Sequence, residues 1–167
     1  MSFLKIQVEE GILETLIQFY DLVYHCFTFP NYQLVPTLEE YSYLVGLPVS
    51  DKIPFSGLED IPKKSVIAEA FHLKISDVKN NLTFKGGFQG FTSGFLIGKA
   101  STLISKGDEI GFEAILALLI YGLVLFPNVQ NFVDVNALRI FMIGNPVPTL
   151  LGDTYHSIHH RKKWKGD

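Results

Sequence analysis

The stretch TYHSIHHRKKW, residues 154–164, gathers most of the side chains in this chain that could do chemistry together. His156, His159 and His160 follow closely on Asp153, and Arg161, Lys162, Lys163 and Lys165 come directly after them. On a helix Asp153, His156, Ser157 and His160 fall at i, i+3, i+4 and i+7, so one face presents a carboxylate and two imidazoles. The His156/His160 pair has the i, i+4 spacing by which zincins hold zinc. Asp153, His156 and His160 are therefore the candidate metal ligands.

The same residues argue against catalysis. Ser157 stands where a zincin keeps its general-base glutamate, which leaves nothing to activate a metal-bound water. HSIHH also fits the H-x-x-H-H box of membrane di-iron enzymes, but those sites draw on several boxes, and this chain has 5 histidines in all. Ser157, His156 and Asp153 on one helix lack the oxyanion hole and third element of a hydrolase triad. No catalytic residue and no cofactor follow, and the cluster reads first as a polar, partly exposed helix face. Arg161, Lys162, Lys163 and Lys165, with Trp164 among them, are the candidate nucleic-acid contacts, offering phosphate neutralisation and base stacking. Near a helix C-terminus the same cations also complement the macrodipole.

The elements that must position these residues are mostly helical. Apolar residues at Ile12, Leu13, Leu16, Ile17, Tyr20, Val23 and Tyr24 predict an amphipathic helix over 8–24. Short β-prone runs at 26–29 and 32–35, joined by Pro30-Asn31, predict a small hairpin. Thr37-Leu38-Glu39-Glu40 is a capping box that opens a helix, which Gly46 and Pro48 close. Residues 47–62 read as an irregular connection, followed by short helices near 64–72 and 76–82. The glycine-rich TFKGGFQGFTSGF at 83–95 fits neither phosphate-binding fingerprint; it reads as a mobile turn whose Phe84, Phe88 and Phe91 dock on the core. Helices over 92–105, 109–126 and 134–144 follow, the last with Asp134 as N-cap, and Pro148 suits the first turn of a final helix through the histidines.

The chain has 167 residues, 47% of them apolar and 13% aromatic, enough for one domain that buries about 70% of its unfolded surface. We expect a mainly α fold: a single multi-helix domain over 1–160 with a β-hairpin at 26–35, then a basic tail at 161–167. A net charge of −3 gives no global basic field for nucleic acid. The run ILALLIYGLVLF at 115–126 spans only about 18 Å as a helix, short of a bilayer, and reads as a core helix. The lone Cys26 and the early acids Glu9, Glu10 and Glu14 point to a reducing compartment, nucleus or cytoplasm.

Two stretches carry a resemblance: FTFPNYQLVPTLEEYSYLVGLPVSDKIPF, with Thr37, Leu38, Glu39, Glu40, Leu44, Gly46, Leu47, Pro48 and Val49, and ALLIYGLVLFPNVQNFVDVNALRIF, closing on Leu125-Phe126-Pro127. Both resemble the plant mobile domain, also labelled aminotransferase-like. Residues 10–160 as a whole resemble its retrotransposon-related legume-type branch. The resemblance implies a helical, non-enzymatic domain derived from mobile elements and linked to transposon silencing or genome maintenance, with a phosphatase-like protein partner. It carries no catalytic residues, and none of the lysine, phosphate cup or pyridinium partner of pyridoxal-phosphate chemistry can be assembled here. The chain looks shorter than that family's domain, which implies an uncovered apolar face and self-association.

Overall fold

The computed structural model describes residues 10–165, apart from the side chains of Glu10, Leu13, Trp164 and Lys165. The elements in chain order are α1 (Glu10–Gln18), β1 (Tyr20–Asp21), β2 (Cys26–Phe29), β3 (Tyr32–Leu34), α2 (Leu38–Val45), α3 (Lys64–Ala70) and α4 (Ile75–Asn81). After them come β4 (Thr83–Lys85), β5 (Phe88–Thr92), α5 (Ser93–Ser105), α6 (Glu109–Ile120) with a π-helical extension Tyr121–Leu125, β6 (Phe132–Asp134), α7 (Val135–Ile143) and α8 (Val147–Lys165). The protein is mainly α with two small three-stranded sheets. No described helix is long and apolar enough to cross a membrane.

Contacts divide the chain into two compact units, one combining Met1–Ser50 with Val147–Asp167 and the other spanning Asp51–Pro146. Through residue 160 α8 continues to Lys165, so the described basic residues form its last turns.

In the first unit β1, β2 and β3 make an antiparallel sheet in that order, with Phe27 opposite both Tyr20 and Leu34. The hairpin expected around Pro30-Asn31 is present, and Phe29 stacks on Tyr32 at 4.8 Å and on Phe19 at 4.8 Å. The helix predicted over 8–24 stops at Gln18. Asp21 explains this: its Oδ1 accepts from the backbone N–H of Val23 at 2.7 Å and of Tyr24 at 2.9 Å. That local turn competes with helical hydrogen bonding, as short polar side chains commonly do. The Thr37–Glu40 capping box forms as expected, with both reciprocal hydrogen bonds, and Gly46 closes α2 in the left-handed region at φ 68°.

The second unit holds a core of Ile67, Phe71, Val78, Phe91, Leu96, Ile115, Leu118, Val133 and Leu138. Its sheet, β4-β5-β6, was not expected from the sequence. Gly86 and Gly87, at φ 60° and 84°, make a two-residue hairpin turn between Lys85 and Phe88. Consequently only Phe91 of the three phenylalanines is buried, while Phe84 is 70% exposed and Phe88 37%. β6 is buried at every position and ends in Asp134, which is only 4% exposed.

Asp134 caps α7 as the sequence predicts: its Oδ1 accepts from the N–H groups of Asn136 and Ala137, and its Oδ2 accepts from Asn128 Nδ2 at 2.9 Å. Replacing a buried carboxylate that satisfies three donors strands all of them. Asp134→Ala should lower the unfolding free energy by about 2–3 kcal/mol in urea denaturation, and Asp134→Asn by less than half of that, since asparagine also caps.

Candidate functional site

The histidine face is built on α8, and α8 is held by side chains from the first fifty residues. The Tyr41 hydroxyl meets Thr154 Oγ1 at 2.9 Å, and Thr154 Oγ1 in turn donates to the Leu150 carbonyl. Lys162 Nζ donates to the carbonyl of Gln18 at 2.8 Å, clamping the end of α1. His25, at φ 53° just after the Asp21 turn, stacks on His159 with centroids 5.0 Å apart and planes 16° from parallel. His25 and His159 lie far apart in sequence, so spacing alone gives no sign of the pair.

The three neighbouring histidines of α8 therefore have different surroundings. His159 turns toward His25, and its Nδ1 is buried with no hydrogen-bond partner. Its pKa lies below the usual imidazole value, first because burial strips hydration, then because His25, His160, Lys163 and His156 repel a further positive charge. His156 and His160 are exposed, and their Nε2 atoms approach to 3.0 Å. The predicted trio of metal ligands does not assemble. Asp153 is exposed a turn earlier, and among the described residues no group of three histidine, cysteine or acidic side chains gathers to hold an ion. The helix brings His156 and His160 together and leaves Asp153 out.

Beneath this face lie Tyr20, Cys26 and Tyr155. The Cys26 thiol is free and buried, Tyr20 meets the ring of Phe27 edge-on at 5.4 Å, and its hydroxyl stands 3.4 Å from His25 Nδ1. The Tyr155 hydroxyl is buried without a partner, and burial, with Tyr20 and Cys26 beside it, pushes its pKa up.

The basic candidates do not share one surface. Arg161 and Lys163 are exposed, Lys162 is committed to Gln18, and the side chain of Lys165 lies outside the described residues. Consecutive helical residues are turned by about 100° from one another, so a run of cations along a helix spreads around it.

A second feature of this unit has no precedent in the motifs. β3 and α2 enclose a groove of about 580 Å³ lined by Leu34, Pro36, Tyr43 and Leu44, with Glu39 and Glu40 among its lining. No residue of α2 is buried, although the helix carries Leu38, Tyr41, Tyr43, Leu44 and Val45. Tyr43 is 87% exposed and Leu44 75%. The only sequence signal is that the well-capped helix has more apolar residues than one packed face can use.

In the second unit His72 gains a partner that spacing does not reveal. Its Nδ1 lies 2.9 Å from Asp108 Oδ2, while Asp108 also caps α6 by accepting from the Gly111 N–H. The Gly111 N–H first, and His72 second, hold the Asp108 carboxyl below its ordinary pKa.

The whole chain, residues 1–167, matches the model of one family, described as Domain of unknown function (DUF7745). No curated protein and no solved structure matches it.

The lowered His159 pKa makes stability depend on pH in a defined window. Below the unfolded value of about 6.5 the unfolded chain binds a proton that the folded ring resists, so stability falls with pH until the folded pKa is reached. Thermal melts followed by circular dichroism should show the midpoint dropping as the pH is lowered through about 6.5. His159→Phe keeps a ring against His25 and removes the titration, so its midpoint should be flatter over that interval. The Asp108 contribution is present above about pH 4 and lost below it, well separated from this response.

Proposed function

The chain belongs to the DUF7745 family, and we propose that it is a non-catalytic protein-interaction module whose docking surface is the groove between β3 and α2. The observation that carries this reading is an apolar groove whose floor residues, Leu34, Tyr43 and Leu44, are all largely exposed and whose lining includes two glutamates. Capturing either Tyr43 or Leu44 in an interface would contribute about 1.5–3 kcal/mol. The described residues that line the groove include no histidine, cysteine or lysine, and of its two carboxylates Glu40 is already engaged by the Thr37 N–H. Such a surface suits recognition by shape and burial.

The partner is an extended segment with apolar side chains at alternate positions and Lys or Arg beside them. β3 supports the extended form, because it is the outer strand of its sheet and all three of its residues are exposed. A strand added there would use its free backbone edge while alternate side chains enter the groove. Glu39 and Glu40 supply the complementary charge. The resemblance of the Thr37–Val49 and Leu125–Pro127 stretches to the plant mobile domain supports the same reading. It adds an origin in mobile elements, a role in transposon silencing or genome maintenance, a phosphatase-like partner, and the nucleus or cytoplasm as compartment.

A displayed random peptide library panned on the full chain should enrich sequences with alternating apolar anchors and basic residues. Tyr43→Ala or Leu44→Asp should weaken the selected peptides by at least about tenfold, the equivalent of 1.4 kcal/mol, in fluorescence anisotropy. Peptides that bind both variants as tightly as the parent chain would place recognition elsewhere. A concentration-dependent dimer in sedimentation that Leu44→Asp dissolves would replace the partner segment by a second copy.

A further inference from the structure

We propose that His156 and His160 form a two-nitrogen chelate for a divalent transition ion of right-angled coordination preference, Cu²⁺ or Ni²⁺, with water or an exogenous ligand filling the remaining positions. The argument is geometric and independent of the groove. The two Nε2 atoms stand 3.0 Å apart. With metal–nitrogen bonds of about 2.0–2.1 Å, two ligands at that separation subtend about 91–97° at a shared ion. A tetrahedral ion such as structural Zn²⁺ would need the nitrogens about 3.3–3.4 Å apart. A right angle between imidazole nitrogens belongs to square-planar and tetragonal sites, the geometry of Cu²⁺ and Ni²⁺.

Several features of α8 support this. The pair is one helical turn apart, so the backbone sets the separation and the ion need organise only two side chains. The rings are inclined at 62° with centroids 4.3 Å apart, and rotation of these two side chains about their torsions turns both nitrogens from each other toward a common point beside the line joining them. In the absence of an ion the contact can hold only one hydrogen, donated by one ring to the bare nitrogen of the other. On binding, that hydrogen passes by way of solvent to the Nδ1 of its own ring, so both rings stay neutral and each offers its Nε2 lone pair to an ion beside the line joining the two nitrogens. Both rings are exposed, so the open coordination positions face solvent. His159 does not join, because it is stacked on His25 and its centroid stands 6.2 Å from that of His160. Among the described residues no third acidic, thiol or imidazole group gathers there, so this site has fewer protein ligands than a closed structural zinc centre.

The test is titration of the untagged full chain with Cu²⁺ in a non-coordinating buffer near pH 7.5, followed by calorimetry and electron paramagnetic resonance. One ion per chain should bind with hyperfine coupling to two imidazole nitrogens. His156→Gln and His160→Gln should each weaken binding by at least about tenfold, the smallest loss that even an outer-shell partner of a ligand causes. His159→Phe should bind as the parent does. Circular dichroism of each variant establishes that it is folded, and the exposed positions of both ligands make that the expected result. Equal affinity in the His156→Gln, His160→Gln double variant, or a spectrum with one imidazole or none, would overturn the proposal. Co²⁺ adds a separate check of geometry: a weak six-coordinate visible band agrees with the right-angled site, and an intense tetrahedral band contradicts it.

Discussion

The first unit depends on α8 lying against elements too small to stand without it. Its strands have two, four and three residues, and α1 and α2 have nine and eight. Isolated hairpins and helices of that length are marginal in water. α8, with 19 residues, is the one long element, and it reaches α1 through Lys162, α2 through Thr154 and the turn after β1 through His159. These contacts join residues more than a hundred positions apart, so closing the unit requires both ends of the chain. The polar and aromatic character of the contacts follows from the composition of α8, whose second half offers few aliphatic side chains for packing.

The second unit uses a different constraint, close backbone approach at glycine. Any side chain at Gly122 would meet Val133, with Val133 Cγ1 2.5 Å from where the Cβ would sit, and at Gly90 it would stand 2.7 Å from Asp134 Cα. β6 can therefore lie tight against β5 and against the π-helical extension of α6 only because those two positions lack a Cβ. The wider π turn sits where this strand presses in, as such insertions in helices often do. Asp134 then ends the buried strand and starts α7, so one residue links sheet and helix.

Where the sequence was informative, the signal was local. Thr37 with Glu40, Gly46, Asp134 and Pro148 each act within a few residues of themselves, and the structure has them in the roles their chemistry predicts. The small hairpin at Cys26–Leu34 was legible for the same reason. The Gly86-Gly87 hairpin was legible in principle, since two glycines between Phe-containing runs are a turn signal, but the density of glycine there suggested a loop. The stacked His25/His159 pair, the His72/Asp108 pair and the split of the chain into two units depend on residues distant in sequence, and no local pattern announces them. Helical spacing correctly brought His156 to His160; it failed for Asp153 because sharing a face does not make a short carboxylate side chain reach the end of that face.

The histidine cluster shows how neighbouring residues of one type come to differ. On a helix His159 and His160 are turned by about 100° from each other, so when one is pressed against the protein the other faces away. Packing against His25 is what gives His159 its orientation, its orphaned Nδ1 and its resistance to protonation. Together with the Thr154 and Lys162 contacts and the buried Val147 and Leu150, that packing sets the rotation of α8 about its axis, and the rotation leaves His156 and His160 together on the outside. The inner histidine thus acts on the outer pair through the helix they share: a ring that serves packing is one of the contacts that set the direction in which two other rings present their nitrogens.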